Sequence, residues 1–284
     1  MLRAGNSAAR SNRDWIVKRR SLIVSCFSIG ALIAIAAGHC SASPSADELL
    51  RHKGFLWKSA STEHLDVHVE AATFAETHIE DLKRSEEKAF SRNLVLLETK
   101  TYPFETDVFV VASRDRMKQL LGRETNGIAF PDTRVVCFIL NEKVNASGAH
   151  ELMHVMSQNV WKGKPKTWLN EGFATYADDL WYRYRLHDLS KYLLQQRKLI
   201  PLEELIEHFG ASSDMITYPQ AGSFVKYLYE QYGADKLRDL WSSGTAKDLK
   251  RVLGKDIATL ETEWHSKLMQ ADASTVKYEF SPSK

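Results

Sequence analysis

The first half of the chain mixes two patterns of hydrophobic and polar residues. Residues 63–70 alternate between polar and apolar side chains, which predicts a half-buried strand with its polar residues facing solvent. Residues 107–112 and 134–140 are apolar runs rich in β-branched residues, and such runs predict short buried strands. Residues 74–97 and 114–121 have the spacing of charged helices. This half therefore predicts a small sheet with helices packed on it.

The second half favours helices throughout. From residue 147 onward apolar residues recur three and four positions apart, and no segment there has the pattern of a strand. The predicted helices cover residues 147–161, 168–186, 188–197, 202–209, 218–232, 234–242, 247–253 and 257–270. The fold class predicted from these patterns is α+β, with a small mixed sheet followed by a mostly helical C-terminal lobe.

The N-terminal segment has the features of an export signal. Three basic residues, Lys18 to Arg20, precede an uncharged apolar run over residues 21–38. Small residues at 40–42 offer a cleavage site, but the run is also long enough to remain as a membrane anchor. Because the basic flank comes first, the chain after residue 42 is expected outside the cytoplasm in either case. Membrane attachment through residues 21–38 and release after cleavage both stay open.

Charge and cysteine content change once this leader is set apart. The whole chain has a net charge of +2, of which the leader contributes +5, so the remainder carries −3. The charge therefore implies no nucleic-acid partner. Cys137 is the one cysteine beyond the leader, which excludes a disulfide within that part. We divide the chain into a leader (1–42), a polar connector (43–53), an N-terminal subdomain (54–161) and a helical C-terminal subdomain (162–284).

Four residues in the middle of the chain have the chemistry of a metal site. His150 and His154 are four positions apart, so they share one face of the predicted helix and can chelate one ion. Glu171 follows His154 by seventeen positions, after a turn-forming segment at 162–166. Two neutral imidazoles and a carboxylate suit a catalytic Zn²⁺, which keeps one position open for water. Glu151, beside the two histidines, is placed to take a proton from that water.

The same region also allows simpler interpretations. Histidines four apart occur on helix surfaces, and the helix macrodipole favours an acid such as Glu171 in a first turn. Asn170 is placed to cap the second helix. Asp178 either orients an imidazole or is a solvated acid. His64 and His68 repeat on one face of a strand with no acidic third ligand placed by a motif, so we interpret them as surface residues.

Three blocks of sequence resemble a known family. His150–His154 reads HELMH and residues 168–174 read WLNEGFA, and together they resemble the gluzincins, especially the zinc aminopeptidases and the smaller peptidase-MA-like proteins of bacteria. Residues 216–228 are similar to the aminopeptidase segment whose tyrosine polarises the tetrahedral intermediate. The resemblance thus implies that Tyr218 donates a hydrogen bond to the oxyanion, although a buried aromatic role is the alternative.

The resemblance implies a zincin-like fold with a cleft between the two halves, and one Zn²⁺ per chain. It also implies a zinc metallopeptidase acting on peptides or proteins. The leader is expected to place this protein outside the cytoplasm, where it is periplasmic, secreted or anchored to the inner membrane. The expected metal ligands are His150, His154 and Glu171, and the expected catalytic residues are Glu151 and Tyr218. The alternative is a catalytically degenerate zinc-binding module that serves as a scaffold in the envelope. The oligomeric state is left open.

One departure from the aminopeptidases bears on specificity. Those enzymes carry a Gly-x-Met-Glu-Asn strand that binds the substrate's amino terminus, whereas residues 138–143 here read FILNEK. The missing anchor predicts an endopeptidase in preference to an aminopeptidase. We further expect the strand at 134–140 to form the rim of the cleft and to pair with extended substrate backbone.

Overall fold

The structure is a computed structural model that describes residues 43–146 and 148–279. The predicted signal sequence or anchor lies outside the described residues, as does Ser147. Within the described ranges, no helix combines the length and the hydrophobicity needed to cross a membrane.

A five-stranded mixed sheet forms the N-terminal half. Its strands are β1 (Trp57–Ser61), β2 (Leu65–Glu70), β3 (Thr106–Val111), β4 (Gly127–Phe130) and β5 (Val135–Ile139). The order is β1-β2-β3-β5-β4, in which β2, β3 and β5 are parallel while β1 and β4 pair antiparallel at the two edges. The three predicted strands are confirmed. The sequence pattern missed both edge strands, because β1 is largely polar and β4 is only four residues long and starts with glycine.

Helices make up most of the remaining chain. They are α1 (Ala46–Leu50), α2 (Phe74–Thr77), α3 (Ile79–Leu96), α4 (Arg114–Leu121), α5 (Gly148–Val160), α6 (Thr167–Asp178), α7 (Leu186–Gln195), α8 (Leu202–Glu207), α9 (Asp214–Trp241), α10 (Ala246–Leu253) and α11 (Ile257–Leu268). A 3₁₀ turn, Phe209–Ala211, precedes α9. The fold is thus α+β, with a small mixed sheet followed by a mostly helical lobe.

One helix prediction in the second half needs correction. The predicted helix 168–186 ends at Asp178, and Asp179, with a φ of 54°, turns the chain into a two-stranded hairpin of β6 (Leu180–Trp181) and β7 (Tyr184–Arg185). The predicted division between helices 218–232 and 234–242 is confirmed, because α9 breaks at Gly233. There φ is 78°, a value that glycine adopts at little cost.

The predicted half-buried character of β2 is wrong, since both faces of the sheet are covered. Helices α3 and α5 pack on one face, and a second apolar cluster around Phe109 and Cys137 covers the other with α1 and α4. His68 and Glu70, expected in solvent, are only 6% and 8% exposed. His68 bonds to Asp107 across the sheet. Paired polar groups therefore replace a solvated face.

The predicted connector at 43–53 contains α1. Ser45 and Glu48 cap this helix reciprocally, and its Leu49 is buried against the sheet. The subdomain boundaries remain predictions.

Two glycines let α6 and α9 approach closely. A Cβ built on Gly172 would lie 2.9 Å from the backbone oxygen of Ala221, and one on Gly222 would lie 2.8 Å from Cγ2 of Thr175. The backbones of the two helices therefore pack against each other at these glycines, and larger side chains there would hold the helices apart. Gly172 directly follows Glu171, and Gly222 lies one turn after Tyr218. This contact sets the position of the predicted third ligand relative to the predicted tyrosine.

Candidate metal centre

Helices α5 and α6 bring three predicted ligands together. The Nε2 atoms of His150 and His154 are 3.1 Å apart. Oε2 of Glu171 lies 3.3 Å from the first and 3.4 Å from the second. The three side chains are 14%, 9% and 2% exposed, so the cluster is almost closed to solvent.

These distances fit a tetrahedral metal ion. Ligands about 2.0–2.1 Å from a Zn²⁺ ion are separated by about 3.3 Å when the geometry is tetrahedral. The three distances between the donor atoms agree with that value to within a few tenths of an ångström. In addition, the buried Oε2 of Glu171 accepts no hydrogen bond from any described residue, so its lone pairs are open to a cation. The residues therefore fit one divalent ion such as Zn²⁺.

Asn170 holds one ligand in the required tautomer. The Nδ1–H of His154 donates to Oδ1 of Asn170 at 3.1 Å, so Nε2 is the nitrogen that faces the other ligands and offers a lone pair to a cation once its own proton has left. The prediction that Asn170 caps α6 is wrong, because the cap position is Lys166 and Asn170 lies inside the first turn. An asparagine next to a candidate ligand at the start of a helix is the sequence signal for this role.

Burial and charge act in opposite directions on the ligands. Burial lowers the pKa of His154, but the carboxylates of Glu171 and Glu151 outweigh it and raise the pKa to about 9. Burial raises the pKa of Glu171, but the two histidines outweigh it and lower the pKa to about 2. Without metal, His154 and Glu171 therefore form a buried ion pair at neutral pH. A binding cation must displace the proton of His154.

Glu151 lies between the metal cluster and strand β4. Its side chain is 8% exposed, and burial raises the pKa of its carboxyl despite the opposing histidines. A raised pKa suits a group that accepts a proton and later returns it. Gly127 makes room for this carboxylate, since a Cβ there would lie 2.3 Å from Oε1 of Glu151. Sequence reasoning missed Gly127, because its role depends on a contact between β4 and α5 that no local pattern reveals.

Tyr218 packs against the cluster from α9. Its ring stacks over His150 with 6.4 Å between ring centroids, and the side chain is 2% exposed. Burial, together with Glu171 and Asp214, raises the pKa of the phenol. The hydroxyl therefore keeps its proton and remains a hydrogen-bond donor at all physiological pH values.

The other candidate residues have different positions. His64 contacts Glu87 of α3 and lies near Glu63, a grouping that the sequence did not reveal. This grouping is open to solvent, because Glu63 is 82% exposed. Asp178 ends α6, and its charge raises the pKa of both Glu86 and Glu151, so it lies near the base of the metal helix.

The rim of the site is formed by a different strand from the one predicted. Residues 134–140 cannot offer a free edge, because β5 is paired with β3 on one side and β4 on the other. Strand β4 is the outer strand and is the one that contacts Glu151. The four residues of β4 (Gly127–Phe130) contain no acid.

A small mixed sheet, a helix with paired histidines and a glutamate on the next helix define a metallopeptidase-like fold. The chain belongs to the Peptidase MA superfamily, whose profile matches residues 109–270, more than half of the chain. Among solved structures it is similar to an aminopeptidase N family protein from Idiomarina loihiensis, with 11% identity and a TM-score of 0.38. That similarity covers 76% of this chain and 49% of the other, so the chain spans about half the relative's length. No curated protein sequence matches.

Proposed function

We propose that this protein is an exported zinc metallopeptidase that cleaves peptide bonds within a chain. The observation that carries the proposal is the triangle of His150, His154 and Glu171 donor atoms with edges of 3.1–3.4 Å, beside the buried carboxyl of Glu151. A structural zinc site does not need a buried base next to its ligands, whereas a hydrolytic site does.

The residues around the three candidate ligands have different roles in the proposed hydrolysis. When bound, Zn²⁺ supplies a Lewis acid that makes a water molecule acidic near neutral pH. Glu151 accepts the proton of the attacking water and passes it to the leaving amine, a double role that its raised pKa supports. Tyr218, protonated and packed over His150, donates a hydrogen bond to the oxyanion that develops on the substrate carbonyl.

The outer edge of β4 is the surface we propose for the substrate backbone. It runs beside Glu151, and an extended peptide can add to a free strand edge by main-chain hydrogen bonds. Because β4 carries no carboxylate to bind a free amino terminus, we propose cleavage inside a chain rather than removal of the first residue. The leader over residues 1–42 supports export, which a reporter enzyme fused after Lys284 tests by its activity outside the cytoplasm.

A comparison of Glu151→Gln with the unchanged protein tests the function. Both proteins are expected to bind one Zn²⁺ per chain, and only the unchanged protein is expected to hydrolyse peptides. Amino-terminally acetylated peptides should be cleaved as well as free ones, since no amine is recognised. Glu80→Gln, at an exposed position on α3, is the control and should retain activity. Bound zinc without any hydrolysis by the unchanged protein would support the scaffold alternative.

A further inference from the structure

The chain after α11 returns to the metal-site side of the helical lobe. We name residues 273–279 the C-terminal strap. Val276 and Tyr278 of the strap are 7% and 6% exposed, so it is packed and not a loose tail. The hydroxyl of Tyr184 in β7 donates to the backbone oxygen of Lys277 at 2.6 Å, which ties the strap to the β6–β7 hairpin. The strap lies beyond the residues that the superfamily profile matches.

A proline inside α9 creates a binding point for the strap. Pro219 has no backbone N–H, so it cannot donate to the oxygen of Met215 one turn earlier. The hydroxyl of Tyr278 donates to that oxygen at 3.0 Å. The strap thus supplies a hydrogen-bond donor to a helix carbonyl that Pro219 cannot bond. This carbonyl belongs to the residue three positions before Tyr218.

The same hydroxyl also fixes the hairpin. The indole N–H of Trp181 in β6 donates to the Tyr278 oxygen at 2.8 Å, and a hydroxyl can accept this bond while donating to Met215. The Trp181 ring stacks on Tyr218 with 5.3 Å between centroids and 25° between planes. Phe209 packs edge-on against Tyr218 from another side, also at 5.3 Å. Tyr218 is therefore held between the hairpin, the 3₁₀ turn and His150.

We propose that Tyr278 is a positioning residue that holds Tyr218 over the metal site through Trp181. The inference rests on the proposed function, because it assumes that Tyr218 acts on the oxyanion. Loss of the Tyr278 hydroxyl leaves the Trp181 N–H and the Met215 oxygen without this partner, so the hairpin loses the hydrogen-bonded link from Trp181 to α9. An oxyanion donor acts in the transition state, so its displacement lowers kcat more than it changes KM.

Tyr278→Phe tests this role, because it removes the hydroxyl and keeps the ring. We expect kcat to fall about ten- to a hundredfold, since an oxyanion donor is worth about 10²–10³ in rate. KM should stay within about twofold and zinc content should not change. Tyr227→Phe is the matched control: its partly buried hydroxyl donates to Glu263, away from the site, and kcat should be unchanged. A kcat for Tyr278→Phe equal to that of the control overturns the proposal.

A double-mutant comparison separates positioning from general destabilisation. In a Tyr218→Phe background, the further change Tyr278→Phe should not lower kcat again, because the group that it positions is already gone. An equal additional loss of kcat in that background contradicts the proposal. Trp181→Phe removes the indole N–H and keeps a ring for stacking, so it gives the same test if Tyr278→Phe does not fold.

A crystal structure of Tyr278→Phe supplies a readout that does not depend on activity. The ring of Tyr218 and the hairpin should be displaced relative to the unchanged protein, and an unmoved ring overturns the inference. If the unchanged protein hydrolyses no peptide, the proposed function fails, and an unmoved or displaced ring still decides the positioning role. If Tyr218→Phe keeps full kcat, the oxyanion role fails, and with it the proposal for Tyr278.

Discussion

Glu86, a buried acid behind the metal helix, gives a prediction that can be worked out in numbers. It is 5% exposed on α3 and lies against Gly148, the first residue of α5, where an added Cβ would be 1.7 Å from Oε2. Burial, followed by the charge of Asp178, raises the pKa of its carboxyl from 4.5 to about 8. A helix N-terminus stabilises a carboxylate by at most about 2 kcal/mol, which is less than this cost of ionisation.

The sign of the pH dependence follows from this shift. Because the folded pKa lies above the unfolded value, the stability that Glu86 confers below pH 4.5 is lost as pH rises toward 8. Each pKa unit corresponds to about 1.4 kcal/mol, so the unchanged protein should lose about 2–3 kcal/mol between pH 5 and pH 7 from this residue. Glu86→Gln is neutral at every pH and should not show this loss.

Urea unfolding of both proteins at pH 5, 6 and 7 measures the effect. The free energy of unfolding of Glu86→Gln, relative to the unchanged protein, should rise by about 2–3 kcal/mol over this range. Other titrating groups are common to both proteins and cancel in the difference. Glu80→Gln, exposed on the same helix, should give a difference that is flat with pH. A flat difference for Glu86→Gln as well would refute the reasoning that Glu86 is neutral in the folded protein.

Three further substitutions test the packing around the site. Gly127→Ala should push the Glu151 carboxylate aside and lower kcat at least tenfold by peptide assay, with zinc content and unfolding free energy nearly unchanged. Gly172→Ala meets the α9 backbone and should cost about 1–3 kcal/mol in urea unfolding, whereas Gly210→Ala, where no described atom lies within 4 Å of the added Cβ, should cost much less. Asn170→Ala should weaken Zn²⁺ binding about 10- to 100-fold in a chelator competition, and unchanged affinity would contradict its role toward His154.

The parts of the fold that sequence predicts well are those set by local periodicity. The three buried strands and the helix of His150 and His154 follow from residues next to one another in the chain, and the donor spacing on that helix is local too. Strand β4 could not be predicted, because four residues at a sheet edge carry little pattern. The burial of His68 depends on α1 and α4 covering the second face, which no local pattern of β2 reveals.

Long-range contacts explain the remaining differences. Gly127 matters only because β4 lies beside Glu151, and Tyr278 matters only because the strap returns to Pro219 and Trp181. Neither of these long-range contacts produces a recognisable residue spacing in the sequence. The turn at Asp179 is similar, since an aspartate in the left-handed region ends a helix whose apolar pattern continues past it.

The three candidate ligands come from two consecutive helices, α5 and α6. This origin separates the requirements for metal binding from those for alignment of Tyr218. All three donors lie between His150 and Glu171, so bringing them together closes a short loop at a small cost in chain entropy. Tyr218 and the strap reach the same place only after the whole helical lobe has assembled. We therefore expect metal binding to require only the α5–α6 helical hairpin, whereas alignment of the proposed oxyanion donor Tyr218 requires the complete lobe. Zinc content should then follow the folding of that hairpin, and kcat the folding of the whole lobe.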